Sequence, residues 1–154
     1  MEGETASRRL LEVLGEAKRI AKEYYALTGR PLGITGEMAE YEAIRLLGLR
    51  VAPVRQAGFD AEGEGQDGHR ERLQIKGRCI PYLPGKLKAG ERMAKIDLGK
   101  PWDAVLLVIM NADFDAVAIF RAERVAVQQE LATSARTDLP ISKFKKIGRC
   151  VWAR

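Results

Sequence analysis

Ala104-Val105-Leu106-Leu107-Val108-Ile109-Met110 is the stretch on which the fold turns. It is apolar at every position, so it shows neither the alternation of a half-wet strand nor the length of a helix, and it reads as a strand buried on both faces. Just beyond it, Asn111 to Asp113 reads as a turn and Phe114 to Phe120 as a second strand. Glu123 to Ala132 then reads as a short helix and Gly148 to Trp152 as a final edge strand. On the other side, Arg72-Leu73-Gln74-Ile75-Lys76 alternates polar and apolar, and Val51 to Val54 and Gly58 to Glu62 are further short extended candidates. Between these strands and the apolar run, Cys79 to Lys100 carries Pro81, Pro84, Gly85, Gly90 and Gly99. It reads as a long basic loop with one helical turn near Met93, and such length without structure signals function or mobility.

Before the strands the period changes. Leu10, Leu14, Ala17, Ala21 and Tyr24 recur at helical spacing within Thr5 to Leu27, and Thr28-Gly29-Arg30-Pro31 ends that helix. A second helix is expected from Gly36 to Leu47, with Thr35 as N-cap and Gly48 as the C′ residue. Helices and strands in this order make an α/β chain. Its 154 residues, 46% hydrophobic and 31% charged, fit one domain. Within it, residues 1–32 form an N-terminal helix and connection, 33–127 the core and 128–154 a basic C-terminal segment.

Several function classes are excluded. The longest apolar run is far shorter than the roughly 20 residues that cross a bilayer, so no membrane span is expected. The first twenty residues are studded with charge, unlike a secretory signal, which points to a cytoplasmic protein. Cys79 and Cys150 match neither a zinc spacing nor a disulfide framework and are expected as free thiols.

The net charge of +5 is unevenly spread. Glu37 to Asp67 holds seven acids against three arginines, whereas Arg70 to Lys100 holds nine bases against three acids, and Lys143 to Arg154 has five bases and no acid. An acidic cluster followed by basic stretches is what a cation site beside a phosphate-binding surface requires. Gly63-Glu64-Gly65-Gln66-Asp67-Gly68 satisfies the G-x-G-x-x-G pattern of dinucleotide sites, but a strand rather than a helix follows it and Glu64 and Asp67 would repel a pyrophosphate. It reads as a hairpin turn.

Across that turn, Asp60 in Gly58-Phe59-Asp60-Ala61 faces Gln74-Ile75-Lys76 on the opposing arm. Residues two apart in a strand project to one face, so Gln74 and Lys76 point together while Leu73 and Ile75 enter the core. Glu37 and Glu40 share a face of the second helix and lean over the hairpin. Such a set suits metal-assisted hydrolysis of a phosphodiester. Asp60 is the direct ligand of Mg²⁺ or Mn²⁺, with the Gln74 side-chain oxygen, the Ile75 carbonyl and Glu40 completing the protein's share. Lys76 orients an attacking water and offsets developing negative charge.

At these residues the chain resembles the PD-(D/E)xK nuclease superfamily. The helix acid maps onto Glu40 in Gly36-Glu37-Met38-Ala39-Glu40, the metal-binding aspartate onto Asp60, and the tripeptide onto Gln74-Ile75-Lys76, a Q-x-K variant of the sort found in small members of the superfamily. The resemblance spans Gly33 to Val127. It implies a restriction-endonuclease-like core, a central mixed sheet flanked by helices, and a catalytic set of Glu40, Asp60, Gln74 and Lys76, with Glu37 as a second-tier acid. Replacing a carboxylate by the Gln74 amide removes one negative charge from the metal shell, which weakens affinity and turnover.

The expected activity is therefore a metal-dependent endonuclease acting on DNA, with Arg78, Lys86, Lys88, Arg92 and Lys95 of the basic loop as nucleic-acid contacts and Tyr82 as a stacking residue. A homodimer is left open. Two alternatives stand beside it: a nucleic-acid-binding module that kept the scaffold and lost catalysis, and an interaction protein whose basic surface meets an acidic partner. His69 reads as a surface residue, Cys79 as an inert thiol whose pKa neighbouring Arg78 could lower, Asp113 and Asp115 as turn residues, and Trp102 and Trp152 as packing residues.

Overall fold

The computed structural model describes residues 2–53 and 58–154. Val54 of the Val51 to Val54 expectation lies outside the described residues. In chain order the elements are α1 (Glu2–Thr28), α2 (Thr35–Leu47), β1 (Arg50–Val51), β2 (Ala61–Glu64), β3 (Arg70–Cys79), β4 (Ala104–Met110), β5 (Ala116–Glu123), α3 (Arg124–Ala132), α4 (Ile141–Ile147) and β6 (Arg149–Ala153). The six strands form one mixed sheet in the order β1-β2-β3-β4-β5-β6. β3 and β4 run parallel and every other pair is antiparallel. This is the expected α/β architecture.

The apolar run occupies β4 over the residues expected, and all seven are buried. Successive side chains of β4 point to opposite faces and enter two different cores. Ala104, Leu106, Val108 and Met110 meet Met38, Ala39, Ala43 and Ile44 of α2 and Ala21 of α1. Val105, Leu107 and Ile109 meet Val127 and Leu131 of α3, Ile141 and Phe144 of α4, and Ile80, Met93, Ile96 and Trp102 of the long connection. A strand with a hydrophobic layer on each side needs no polar residue.

Several boundaries differ from expectation. α1 begins earlier, at Glu2. Thr35 lies inside α2, whose cap position is Ile34 with no side-chain bond to the first turn, whereas Gly48 does close the helix at φ 65°. β3 is twice as long as its alternating centre: at its start Arg121 of β5 reaches across β4 to Glu71 with two hydrogen bonds of 2.7 and 2.6 Å, and at its end Gly77, Arg78 and Cys79 pair with Val108, Ile109 and Met110 of β4. The second strand of the downstream pair starts at Ala116 instead of Phe114, which sits buried in the turn at φ 58°.

The final edge strand expected over Gly148 to Trp152 is β6, shifted by one residue and paired with β5. Two features were not expected. One is α4, which precedes that strand. The connection Cys79 to Lys100 has no helical turn at Met93. Instead the Met93 and Ile96 amides donate to Leu139 and Thr137, an isolated bridge joins Arg92 to Pro140, and both apolar side chains are buried. Packing fixes this loop without regular structure.

A buried carboxylate ties α1 and α2 to the sheet. Glu42, 1% exposed, accepts from Lys18 at 3.0 Å, from Arg45 at 3.1 Å and from the Ala116 amide at 2.9 Å. Lys18 also pairs with Asp115 at 2.6 Å, and Arg154 reaches the same carboxylate. Asp115 is therefore more than a turn residue.

Candidate metal centre

The site begins where β2 leaves β3. The Asp103 amide donates to the Arg72 carbonyl, and the Ile80 amide to Met110, so the even-numbered residues of β3 direct their backbone groups toward β4. Leu73, Ile75 and Gly77 direct theirs the other way. Leu73 meets β2, accepting from the Asp60 amide at 2.8 Å. Past that point β2 has ended, and the Ile75 amide would be a bare edge donor. The Asp60 carboxylate takes the missing strand's place: its Oδ2 accepts from the Ile75 amide at 2.7 Å and from Gln74 Nε2 at 2.6 Å. The same geometry turns the Ile75 carbonyl outward along the open edge.

Gly58 makes this position attainable. Its φ of 97° suits glycine, and a Cβ there would stand 2.5 Å from the Pro101 ring. Phe59 is then buried among the residues of the second core and Asp60 is directed to the edge.

Glu40 arrives from the other face. Met38 and Ala39 are fully buried under α2, and Gly77 of β3 lets the helix close in, since a Cβ at Gly77 would lie 2.5 Å from Ala39 Cβ and 3.0 Å from the Thr35 carbonyl. The next helical residue, Glu40, is half-buried and within electrostatic reach of Asp60. Burial, then the Asp60 charge, then that of Glu37 push its carboxyl up to about 7. Burial also pushes Asp60 upward, against the Ile75 amide and the Lys76 ammonium that hold it down. Glu37 itself is exposed in the first turn of α2.

Gln74 and Lys76 stand in register with Val105 and Leu107, which places their side chains on the α3/α4 face of the sheet, while Ile75 packs with α2. Asp60 is thus the common neighbour: Gln74 and Ile75 bond to it, and Glu40 and Lys76 lie within its electrostatic reach from the two faces of the sheet. Gln74 has a further contact that the sequence reading did not give it. Its amide nitrogen faces the Asp60 oxygen, because two oxygens there would repel, so it holds Asp60 through Nε2 while its Oε1 stays apart from that bond.

What remains is a set of hard oxygens: Asp60 Oδ1, Gln74 Oε1, the Glu40 carboxylate and the Ile75 carbonyl. A carboxyl raised by burial and by a neighbouring carboxylate, as Glu40 is by Asp60, is relieved by a divalent cation, and Mg²⁺ or Mn²⁺ fills the rest of its shell with water. The residues fit such an ion. Among the described residues, no three His, Cys, Asp or Glu side chains gather at cation-holding spacing.

The basic loop shares the face of Gln74 and Lys76, but some of its charges are engaged. Arg78 donates to Glu91 at 2.9 Å, and Arg92, half-buried, grips Asp138 through both carboxylate oxygens. Lys88 lies 4.8 Å above the Tyr82 ring, covering one face of this expected stacking residue, and Tyr82 Oη accepts from the Lys88 amide. Lys86 and Lys95 are exposed. His69 is exposed, Trp102 is core, and burial pushes the Cys79 thiol up despite Arg78.

A groove of about 660 Å³ lies elsewhere, beyond the C-terminus of α2, lined by Arg50, Arg70, Arg121 and Arg149 together with Glu62 and Glu71. Its charges largely pair internally, Arg121 with Glu71 and Arg70 with Glu62. Gly58 and Gly77, the residues sequence reading missed, were signalled only by their places two before the acid and one after the lysine. Compared with known proteins, the chain matches no family model and no curated sequence.

Proposed function

We propose that this chain is a divalent-metal-dependent nuclease that hydrolyses phosphodiester bonds of DNA, on a restriction-endonuclease-like scaffold. The observation that carries the reading is the Asp60 carboxylate fixed by Gln74 and the Ile75 amide at an open strand edge, with Glu40 and Lys76 within its field. Asp60 Oδ1, the Ile75 carbonyl and Glu40 would hold Mg²⁺ or Mn²⁺. When bound, the ion polarises a phosphoryl oxygen and makes a coordinated water a stronger nucleophile near neutral pH.

The chain's own groups do the rest. The two hydrogen bonds to Asp60 Oδ2 hold that carboxylate still, leaving Oδ1 for the ion. Glu40, whose carboxyl is pushed up to about 7, would hold the ion only as the carboxylate, so ion binding would be linked to loss of its proton. The Lys76 ammonium orients the attacking water and offsets the negative charge that grows on the phosphoryl oxygens. Lys86 and Lys95, exposed on the loop that covers this face, would draw in the phosphate backbone.

A second reading, a DNA-binding module without turnover, is favoured by Gln74, which leaves two acids where three would bind the ion more tightly. Incubation of the purified chain with supercoiled plasmid, branched DNA and single-stranded DNA in Mg²⁺ or Mn²⁺ separates the two. Nicking that disappears in Asp60→Ala and Lys76→Ala supports the nuclease. Salt-dependent binding with no nicking in either metal leaves the second reading, and cleavage that persists in both variants discards the assignment.

A further inference from the structure

Helix α1 carries two stripes. Leu11, Leu14, Lys18 and Ala21 face α2 and the sheet. Beside them runs another, Leu10, Val13, Ala17, Ile20, Tyr24 and Leu27, spaced three, four, three, four and three. That alternation is the a/d seam of a coiled coil, and together with Ala6 it extends over three heptads, about 32 Å of helix. Ala17 and Tyr24 are half-buried at its inner margin, but Leu10, Val13, Ile20 and Leu27 are 39, 44, 51 and 80% exposed. They are four of the six large hydrophobic side chains exposed among the described residues, so the exposure is concentrated on one line.

Charge says what covers the seam. α1 holds five acids (Glu2, Glu4, Glu12, Glu16, Glu23) and five bases (Arg8, Arg9, Lys18, Arg19, Lys22), a net of zero in a chain of net +5. The chain's excess positive charge lies elsewhere, so neither a phosphate backbone nor an anionic lipid surface is drawn to this helix in particular. An identical neutral helix meets it without net repulsion, and acids and bases interleaved along the flank (Arg9, Glu12, Glu16, Arg19, Glu23) give each copy both signs to offer the other. A two-fold pair also buries the same stripe on both partners. We infer that the α1 seam is the dimerisation surface of this chain, its partner a second copy. The proposal is independent of the nuclease reading.

Sedimentation equilibrium of the full chain from about 1 µM to about 200 µM tests it, a range that covers micromolar association. The mass is expected to rise toward about 34 kDa, twice the 17.1 kDa of one chain. Val13→Glu combined with Ile20→Glu should weaken association by about a hundredfold or more while the helical far-ultraviolet signal is kept, because both side chains point to solvent in the single chain. Leu27→Gln, at the most exposed position, is the second variant. It should weaken association without changing the unfolding of the separated chain. A mass of one chain at the highest concentration overturns the inference, as does association that survives both variants. A single chain that adsorbs through α1 to phosphatidylserine vesicles also overturns it, by assigning the seam to a lipid surface.

Discussion

Gly77→Ala tests how the second helix reaches the strand edge. The added Cβ would stand 2.5 Å from Ala39 Cβ, 3.0 Å from the Thr35 carbonyl and 3.3 Å from Met110 Cε. Comfortable carbon contacts lie near 3.5–4.0 Å, so the overlap with Ala39 is about 1.0–1.5 Å. Both closest neighbours belong to α2 and one is backbone, so no flexible side chain can yield and the helix itself must retreat. Overpacking of this kind costs about 1–3 kcal/mol, and the lower entropy of the unfolded alanine chain returns roughly 0.4–1 kcal/mol. The net loss is therefore about 1–2 kcal/mol, which for a chain of 154 residues lowers Tm by about 2–8 °C. Urea unfolding followed by circular dichroism measures the first quantity. Carboxyl NMR measures its consequence at the site: as α2 moves away, Glu40 falls from about 7 toward the ordinary glutamate range. Ala39→Gly in the same chain should restore part of the stability, since it removes one side of the clash. Unchanged stability together with an unchanged Glu40 titration would refute the argument that Gly77 sets the approach of the helix.

Further predictions concern the buried charges and the loop. Glu42→Ala strips Lys18, Arg45 and the Ala116 amide of a shared buried acceptor and should cost about 3–5 kcal/mol by denaturant unfolding; a loss below about 1 kcal/mol contradicts the reading. Glu40 is raised in the folded chain from an ordinary 4.5 to about 7, so folding favours its protonated form. That contribution is fully present below pH 4.5 and is lost as pH rises to 7, so the wild type should lose stability relative to Glu40→Gln across this window and run parallel to it above. Parallel curves throughout contradict it. Arg92→Ala removes the grip on Asp138 and should speed hydrogen exchange at the Met93 and Ile96 amides by about tenfold, leaving β4 unaffected.

Legibility followed from how local each signal is. β4 was readable because seven consecutive apolar residues admit one environment, and the hairpin because the glycine-rich turn is followed by an alternating strand. α4 was not: Ile141, Phe144 and Ile147 lie three apart within only seven residues, too short for periodicity to stand out. Glu42 shows the limit most sharply. A helical glutamate is read as exposed, and only the arrival of Lys18 from another helix and the Ala116 amide from a strand makes its burial tolerable. At the site, the order of the hairpin was enough to bring Asp60 to Gln74 and Ile75. The direction of the Gln74 amide and the pairing of Arg78 and Arg92 with acids depend on contacts far along the chain.

Paramagnetic titration with Mn²⁺ at pH 7.5 measures most directly whether this strand edge grips a cation. One ion should bind per chain, displaced by Mg²⁺, with binding abolished in Asp60→Ala and weakened in Glu40→Gln. Free Mn²⁺ signal undiminished by the wild-type chain, or equal uptake by Asp60→Ala, would contradict it.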